Sequence, residues 1–293
     1  MNRFVEIGVA LFAWLCAFVL LAAVGTVFVF LLIKGGAALN VQTIFGDTPV
    51  WEAIPLKKAV FNGLFPAIAG TLLLVVMAVG LALPVGIAAG IYLAQYSGSH
   101  MKSIFSLFCD ILAGVPSILV GLFGFSLSIF LHKYVSTEIY PCLLISAASL
   151  SFLVLPYLIR TTQIALEQIP PEERLTALAL GADKLQNIIY VLIPRSLSGI
   201  ISGIILSIGR YAEDTAVIML TGVVAMAGVP QSLLAKYEAL PFFIYYISAQ
   251  YTDMEELRMG YAAAIILVVI CAVLFLAAFY IKNRLTEKAL YSV

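Results

Sequence analysis

From Ala59 to Ser99 the chain carries no Asp, Glu, Lys or Arg, and from Ile7 to Ile33 it carries none either. Runs of this kind leave few folded forms open. About 20 apolar residues in an α-helix cross the ~30 Å hydrocarbon core of a bilayer, and within lipid every backbone N–H and C=O must be paired inside its own segment. A helix of a soluble domain keeps a polar face, and these runs have none. Composition agrees: of 293 residues 63% are hydrophobic and 11% charged, with a mean hydropathy of +1.09, far outside the soluble range. The expected fold class is all-α, a polytopic membrane helix bundle.

Six spans account for the apolar sequence: Ile7–Ile33, Gly70–Leu93, Ile111–Leu131, Ile139–Ile159, Ser196–Leu220 and Met259–Ile281. The first is longer than the apolar core of a cleaved signal peptide, and no small-residue cleavage site is evident. Lys34 to Lys58 reads as an outer loop, and Phe61 to Pro66 as re-entering or lying at the interface. The divisions expected are a first span with its outer loop (1–62), a core (63–284) and a tail (285–293). Gly70, Gly80, Gly86 and Gly90 allow close helix approach, the last two as G-x-x-x-G. Pro116 and Ser117 fall inside the third span, where freed backbone groups need local partners. The aromatics Phe242 to Tyr246, between the last two spans, fit a membrane-interface belt.

With the N-terminus inside, nine Lys and Arg lie on the cytoplasmic side against six outside, Arg210 remaining in the membrane. This positive-inside bias places both termini in the cytoplasm of a multi-pass protein embedded in membrane lipid. The 16 basic and 16 acidic residues cancel, so no nucleic acid partner is expected. Cys16, Cys109, Cys142 and Cys271 have no paired spacing, and His100 and His132 have no ligand-spaced companion. Neither a metal site nor a disulfide framework is expected.

Two polar interruptions carry the functional information. Ile169 to Pro194 reads as a short helix opened by Pro170 and Pro171, with Glu172 and Glu173 at its positive end. A glycine elbow at Gly181 follows, then a second helix capped by Asp183 and Gln186, with Leu185, Ile188, Ile189 and Leu192 along one side until Pro194. Spacing leaves two readings, a surface-lying amphipathic helix or a segment gripped by a soluble partner.

The second interruption is Arg210, Glu213 and Asp214 in the fifth span. A charge at mid-membrane costs several kcal/mol unless it is paired or wetted. Helical spacing puts both carboxylates on the side of Arg210, so an intrahelical ion pair stands beside a site lining a translocation route. A guanidinium is the natural partner of an oxyanion, since its planar fork gives two parallel hydrogen bonds. The cluster's net negative charge opposes a phosphate dianion unless Asp214 is turned away or protonated.

The run A-L-A-L-G-A-D followed by I-P resembles the coupling-loop signature of ABC-importer permeases, departing from it at Leu175-Thr176, where Glu-Ala is common. With V-L-P-Y-L-I-R-T-T (Val154 to Thr162), A-G-V-P-S-I-L-V-G-L-F-G (Ala113 to Gly124) and G-R-Y-A-E-D-T-A-V-I-M-L-T-G (Gly209 to Gly222), the chain is similar to the permeases of bacterial phosphate ABC importers. The similarity covers about Gly63 to Arg284. It implies the type I importer permease fold in a bacterial inner membrane and a second homologous permease subunit. It also implies two ATP-binding subunits and a periplasmic or lipid-anchored phosphate-binding protein. It implies coupling to the ATPase through Glu173, Ala177, Ala179, Gly181, Ala182 and Pro194, and a route through Arg210, Glu213, Asp214 and Thr215.

No G-x-x-x-x-G-K-[S/T] phosphate loop occurs, so the chain is no ATPase, needs no cofactor of its own, and any ATP is hydrolysed by a partner. Permeases for molybdate, tungstate or sulfate are the nearest rivals. A secondary transporter would leave the polar insert without a role and shows no inverted repeat. An intramembrane enzyme would need a nucleophile and base that the spans lack.

Overall fold

The computed structural model describes residues 3–46, 48–53, 60 and 63–291. Its helices are α1 (Arg3–Gly35), α2 (Val41–Phe45), α3 (Val50–Ala53), α4 (Phe65–Gln95), α5 (Ser99–Ala113), α6 (Ser117–Tyr134), α7 (Leu143–Glu167), α8 (Pro171–Ala179), α9 (Lys184–Asn187), α10 (Ile193–Glu213), α11 (Ala216–Thr221), α12 (Leu240–Gln250) and α13 (Met254–Tyr291). Six segments are long and apolar enough to cross a membrane: Val5–Ala38, Phe65–Gln95, Ser117–Tyr134, Leu143–Glu167, Lys184–Glu213 and Met254–Glu287. Each overlaps one of the six spans expected.

The bundle is built around α7, whose buried residues run from Leu143 to Leu166. Helix α4 lies closest to it. A methyl group on Gly86 would stand 2.5 Å from Leu158 Cδ2, and one on Gly90 2.6 Å from Thr162 Cβ. These two glycines therefore set the α4–α7 separation, as the G-x-x-x-G spacing predicts. Gly80 faces open space and sets nothing. Leu74, Val75, Ala78, Leu150, Val154 and Leu158 fill the contact, and the Ser151 hydroxyl donates across it to the Ala78 carbonyl at 2.8 Å.

Helix α1 stands apart. Its side chains are exposed along nearly its whole length, and it meets the bundle near its end, where Phe30 packs edge-on against Tyr261 of α13. On the same side, the loop after α11 folds back over α7. The carbonyls of Ala235 and Leu233 accept from Leu143 N and Leu144 N at 3.1 and 2.9 Å, satisfying donors that a helix start leaves open.

Several boundaries differ from expectation, each for a local reason. Pro66 is a residue of the first turn of α4 rather than part of a re-entrant stretch, because a proline there loses no ladder bond. Phe61 and Asn62, like Lys57 and Lys58, lie outside the described residues. The third span does not run unbroken from Ile111. Helix α5 ends at Ala113 and α6 begins at Ser117, because Pro116 has no N–H and biases Val115 away from helical angles. The fifth span stops at Glu213 and restarts at Ala216. The aromatic run is only partly a belt: Phe243 and Ile244 pack with Leu64, Ala67, Ala262 and Ala263, while Tyr245 is exposed.

Candidate functional site

The insert folds as a helix, an elbow and a helix. After α8, Gly181 N donates to Leu178 O at 3.0 Å and Ala182 N to Ala177 O at 3.0 Å, the paired bonds of a helix end that requires a left-handed residue. Gly181 supplies it with φ +89°. Asp183 then caps α9: its side chain accepts from Gln186 N at 2.7 Å, while the Gln186 side chain accepts from Asp183 N at 2.9 Å. This is the reciprocal box read from the sequence.

Pro194, expected to end the second helix, does not. A π turn at Ile188–Leu192 carries α9 into α10. The widened turn, closed by Ile193 N on Ile188 O, shifts the ladder just ahead of the proline that cannot join it. One helical rod thus runs from Lys184 to Glu213.

The elbow is fastened to the bundle at its base. Asn187 Nδ2 donates to Arg174 O at 2.9 Å, the Arg174 guanidinium donates to the Leu166 carbonyl, and Arg195 Nε lies 3.3 Å from Glu173 Oε2. Of the four apolar positions on the second helix, Ile188 and Leu192 bury against Leu166 and Ile169. Leu185 and Ile189 stay exposed, as do Leu175, Leu180 and Tyr190. Among the residues expected to couple to an ATPase, Ala179 and Gly181 are exposed, and Glu173, Ala177, Ala182 and Pro194 are half-buried.

At the far end of the rod, Arg210, Glu213 and Asp214 border a cavity of about 430 Å³ with Ala113, Gly114, Val115, Pro116, Ser117 and Leu153. At ~30 Å³ per water, that volume admits an oxyanion together with part of its hydration shell. Both helix breaks meet here, the α5–α6 break through Gly114 to Ser117 and the α10–α11 break through Asp214. Thr215 is half-buried beside the cavity residues but does not line it.

The intrahelical ion pair is absent: Arg210 forms no ion pair among the described residues. Its guanidinium instead lies over the Tyr157 ring, 4.3 Å from the centroid, a cation–π contact. Asp214 is unavailable for pairing because the chain leaves helical geometry there (ψ 122°). Its carboxylate accepts from Val217 N at 2.8 Å, capping α11, and from the Ser117 hydroxyl at the start of α6. The fork of Arg210 and the carboxylate of Glu213 remain exposed on this chain. Tyr157 escaped residue-by-residue reading, and Ser117 was singled out only for the break at Pro116, because their partners, Arg210 and Asp214, lie far away in sequence. The blocks containing them were the only signal.

Residues 86–287 match the family described as binding-protein-dependent transport system inner membrane component. A phosphate transport system permease protein PstA of Haemophilus influenzae is 31% identical over 85% of this chain and 84% of its own. PstA 1 of Mycobacterium tuberculosis is 33% identical over 80% of this chain and 74% of its own. Two solved structures share the fold. One is a bacterial ABC transporter involved in the import of the acidic polysaccharide alginate, 16% identical with a TM-score of 0.61, covering 93% of this chain and 96% of that one. The other is the inward-facing MetNI methionine ABC transporter, 19% identical with a TM-score of 0.53, covering 82% and 100%. The chain belongs to the binding-protein-dependent transport system inner membrane components, and within them to the family of the PstA permeases.

Proposed function

We propose that this chain is one membrane half of an ATP-driven importer of inorganic phosphate. The observation that carries the reading is Arg210, a permanent charge without an ion-paired carboxylate among the described residues, exposed at a cavity where two broken helices meet. An exposed guanidinium within the bilayer is stable only against water or a covering polypeptide. Both conditions are met if a second, homologous permease subunit closes the other side of the cavity.

Substrate handling follows from the site. The Arg210 fork offers two parallel donors to an oxyanion, and the Tyr157 ring holds the fork in place between visits. The N-terminus of α6 opens at Ser117 beside the same cavity and adds a favourable field for a negative ligand. Asp214, directed onto Val217 N and Ser117, leaves the anion opposed chiefly by Glu213.

Coupling follows from the rod. Two ATP-binding subunits seat the exposed apolar side chains of the elbow, Leu175, Leu180 and Tyr190 among them. Glu173, Ala177, Ala179, Gly181 and Ala182 shape the seat, and Pro194 lies where the rod leaves it. Movement of the seat tilts the rod and carries Arg210 with it, turning the cavity from one face of the membrane to the other. A periplasmic or lipid-anchored binding protein delivers phosphate at the outer face. Both termini of the chain and the elbow lie in the cytoplasm of the bacterial cell.

The test is uptake of labelled phosphate into vesicles holding the chain with its co-purified partners, competed by arsenate, sulfate, molybdate and tungstate. ATP-dependent uptake inhibited by arsenate alone, and lost in Arg210→Gln with assembly intact, is expected. Inhibition by molybdate or tungstate would move the substrate to another oxyanion. Uptake without ATP would remove the coupling role of the elbow.

A further inference from the structure

A polar seam continues from the cavity toward the elbow side along α5 and α7. Tyr157, which carries Arg210 on its ring, donates its hydroxyl to the Ala113 carbonyl at 2.7 Å. One turn further along α7, Arg160 Nε lies 3.3 Å from Asp110 Oδ1 on α5. Arg160 Nη1 donates to Ser106 Oγ at 3.1 Å and to Gln163 Oε1 at 3.2 Å. Gln163 is in turn oriented by Glu167, which accepts from Gln163 Nε2 at 2.8 Å and pairs with Lys102 Nζ at 2.7 Å.

Helix α5 is turned to suit this seam. Lys102, Ser106 and Asp110, four residues apart, all engage α7. Ile104, Leu107, Phe108 and Ile111 are exposed on the surface. A helix resting on a membrane surface would show water its polar stripe; this one turns it toward α7, with Asp110 still largely exposed at the edge.

The contacts around Arg160 are unequal. Its position is fixed by two neutral acceptors, one of them the buried Gln163 at 1% exposure. Its counter-charge lies 3.3 Å from Nε, on a carboxylate whose side chain is 57% exposed. Exposed pairs contribute about 0–1 kcal/mol, whereas an oxyanion on a guanidinium fork forms two charge-assisted bonds. Arg160 is therefore a charge held in place by neutral groups, with a removable counter-ion on its open side.

We infer that Arg160, one turn along α7 from the Tyr157 that carries Arg210, is a second anion contact on the elbow side of the route, with Asp110 as the counter-ion that the anion displaces. The inference rests on the functional reading above and extends its site along the seam.

The experiment compares labelled-phosphate uptake and membrane-assembled complex for wild type, Arg160→Gln, Arg160→Lys, Asp110→Asn and the exchange Asp110→Arg with Arg160→Asp. Arg160→Gln is expected to lose tenfold or more of its uptake at normal assembly. Asp110→Asn is expected to keep uptake, with half-saturation at equal or lower phosphate, and the exchange is expected to stay inactive because the cation has left its neutral cradle. Full uptake by Arg160→Gln, or restoration by the exchange, would reduce the pair to a clamp between helices and overturn the inference.

If Arg160→Gln fails to assemble, the other single variants decide. Arg160→Lys with uptake retained at raised half-saturation supports the contact, and Asp110→Asn as inactive as an unassembled complex overturns it. A wild-type complex that carries no labelled phosphate would remove the functional reading, and this contact with it.

Discussion

Arg195 Nε and Glu173 Oε2, 3.3 Å apart, tie the start of α8 to the start of α10. The pair is half exposed, so its stability contribution is small, about 0–1 kcal/mol. On the proposed coupling, its place between seat and rod would give it a mechanical role out of proportion to that figure. Arg195→Glu should leave thermal unfolding nearly unchanged and lower ATP-driven uptake severalfold, and adding Glu173→Arg should restore uptake. A double variant no better than the single ones would show both side chains acting on the ATPase rather than on each other.

Gly181 faces open space, so substitutions there meet backbone strain and no collision. At φ +89° asparagine is tolerated better than alanine, and a β-branched residue worst, at a cost of about 1–3 kcal/mol. Uptake and co-purification of the ATPase should therefore fall in the order Gly, Asn, Ala, Val. Equal behaviour of all four would mean that the elbow does not need its left-handed turn.

Asp214 joins two roles that substitution separates. Asp214→Ala removes the cap on α11 and should cost about 1 kcal/mol. Asp214→Asn keeps an acceptor for Val217 N while removing a negative charge beside Arg210. Half-saturation by phosphate should fall in the Asn variant and the thermal midpoint should fall in the Ala variant. Loss of uptake in both to the same extent would make the charge itself a requirement.

Glu238 lies in the loop between α11 and α12 at 8% exposure. Burial pushes its carboxyl above the ordinary range, against the pull of Gly228 N at 2.7 Å and of Ala227 N. A carboxyl whose pKa is raised by folding favours the folded state below its unfolded pKa, and that contribution is lost as pH rises through the folded value. The unfolding midpoint should therefore fall as pH rises above the ordinary carboxyl range of about 4. Glu238→Gln, which retains an acceptor oxygen, should flatten that fall and raise the midpoint at pH 8. An unchanged slope would assign the dependence to other groups.

The elbow and the six spans were legible in the sequence because each is encoded within a few residues. Asp183 meets Gln186 three positions on, Gly181 sits at the helix end that needs it, and each span is one apolar run. The two breaks were harder for opposite reasons. Pro116 announced the first, yet the apolar residues on both sides read as one span. The second carried only the three-residue spacing of Asp214 to Val217 N, which inside an apolar run reads as a charge in a continuous span rather than as a cap. Distance in sequence hid Tyr157 under Arg210 and the α5–α7 seam, whose residues are unremarkable singly.

The rod from Lys184 to Glu213 measures about 45 Å at 1.5 Å per residue, a length that helical hydrogen bonding does not let it change. A signal entering at the elbow, as proposed, would therefore reach the cavity as an angle. A tilt of roughly 5° at the base swings the tip by about 4 Å over that span, comparable to the diameter of a small anion. On the proposed coupling the chain would be geared: a small, strong motion at the elbow would become a wide, weak one at the cavity. The π turn at Ile188–Leu192, close to the fulcrum, is where added slack would most reduce the swing.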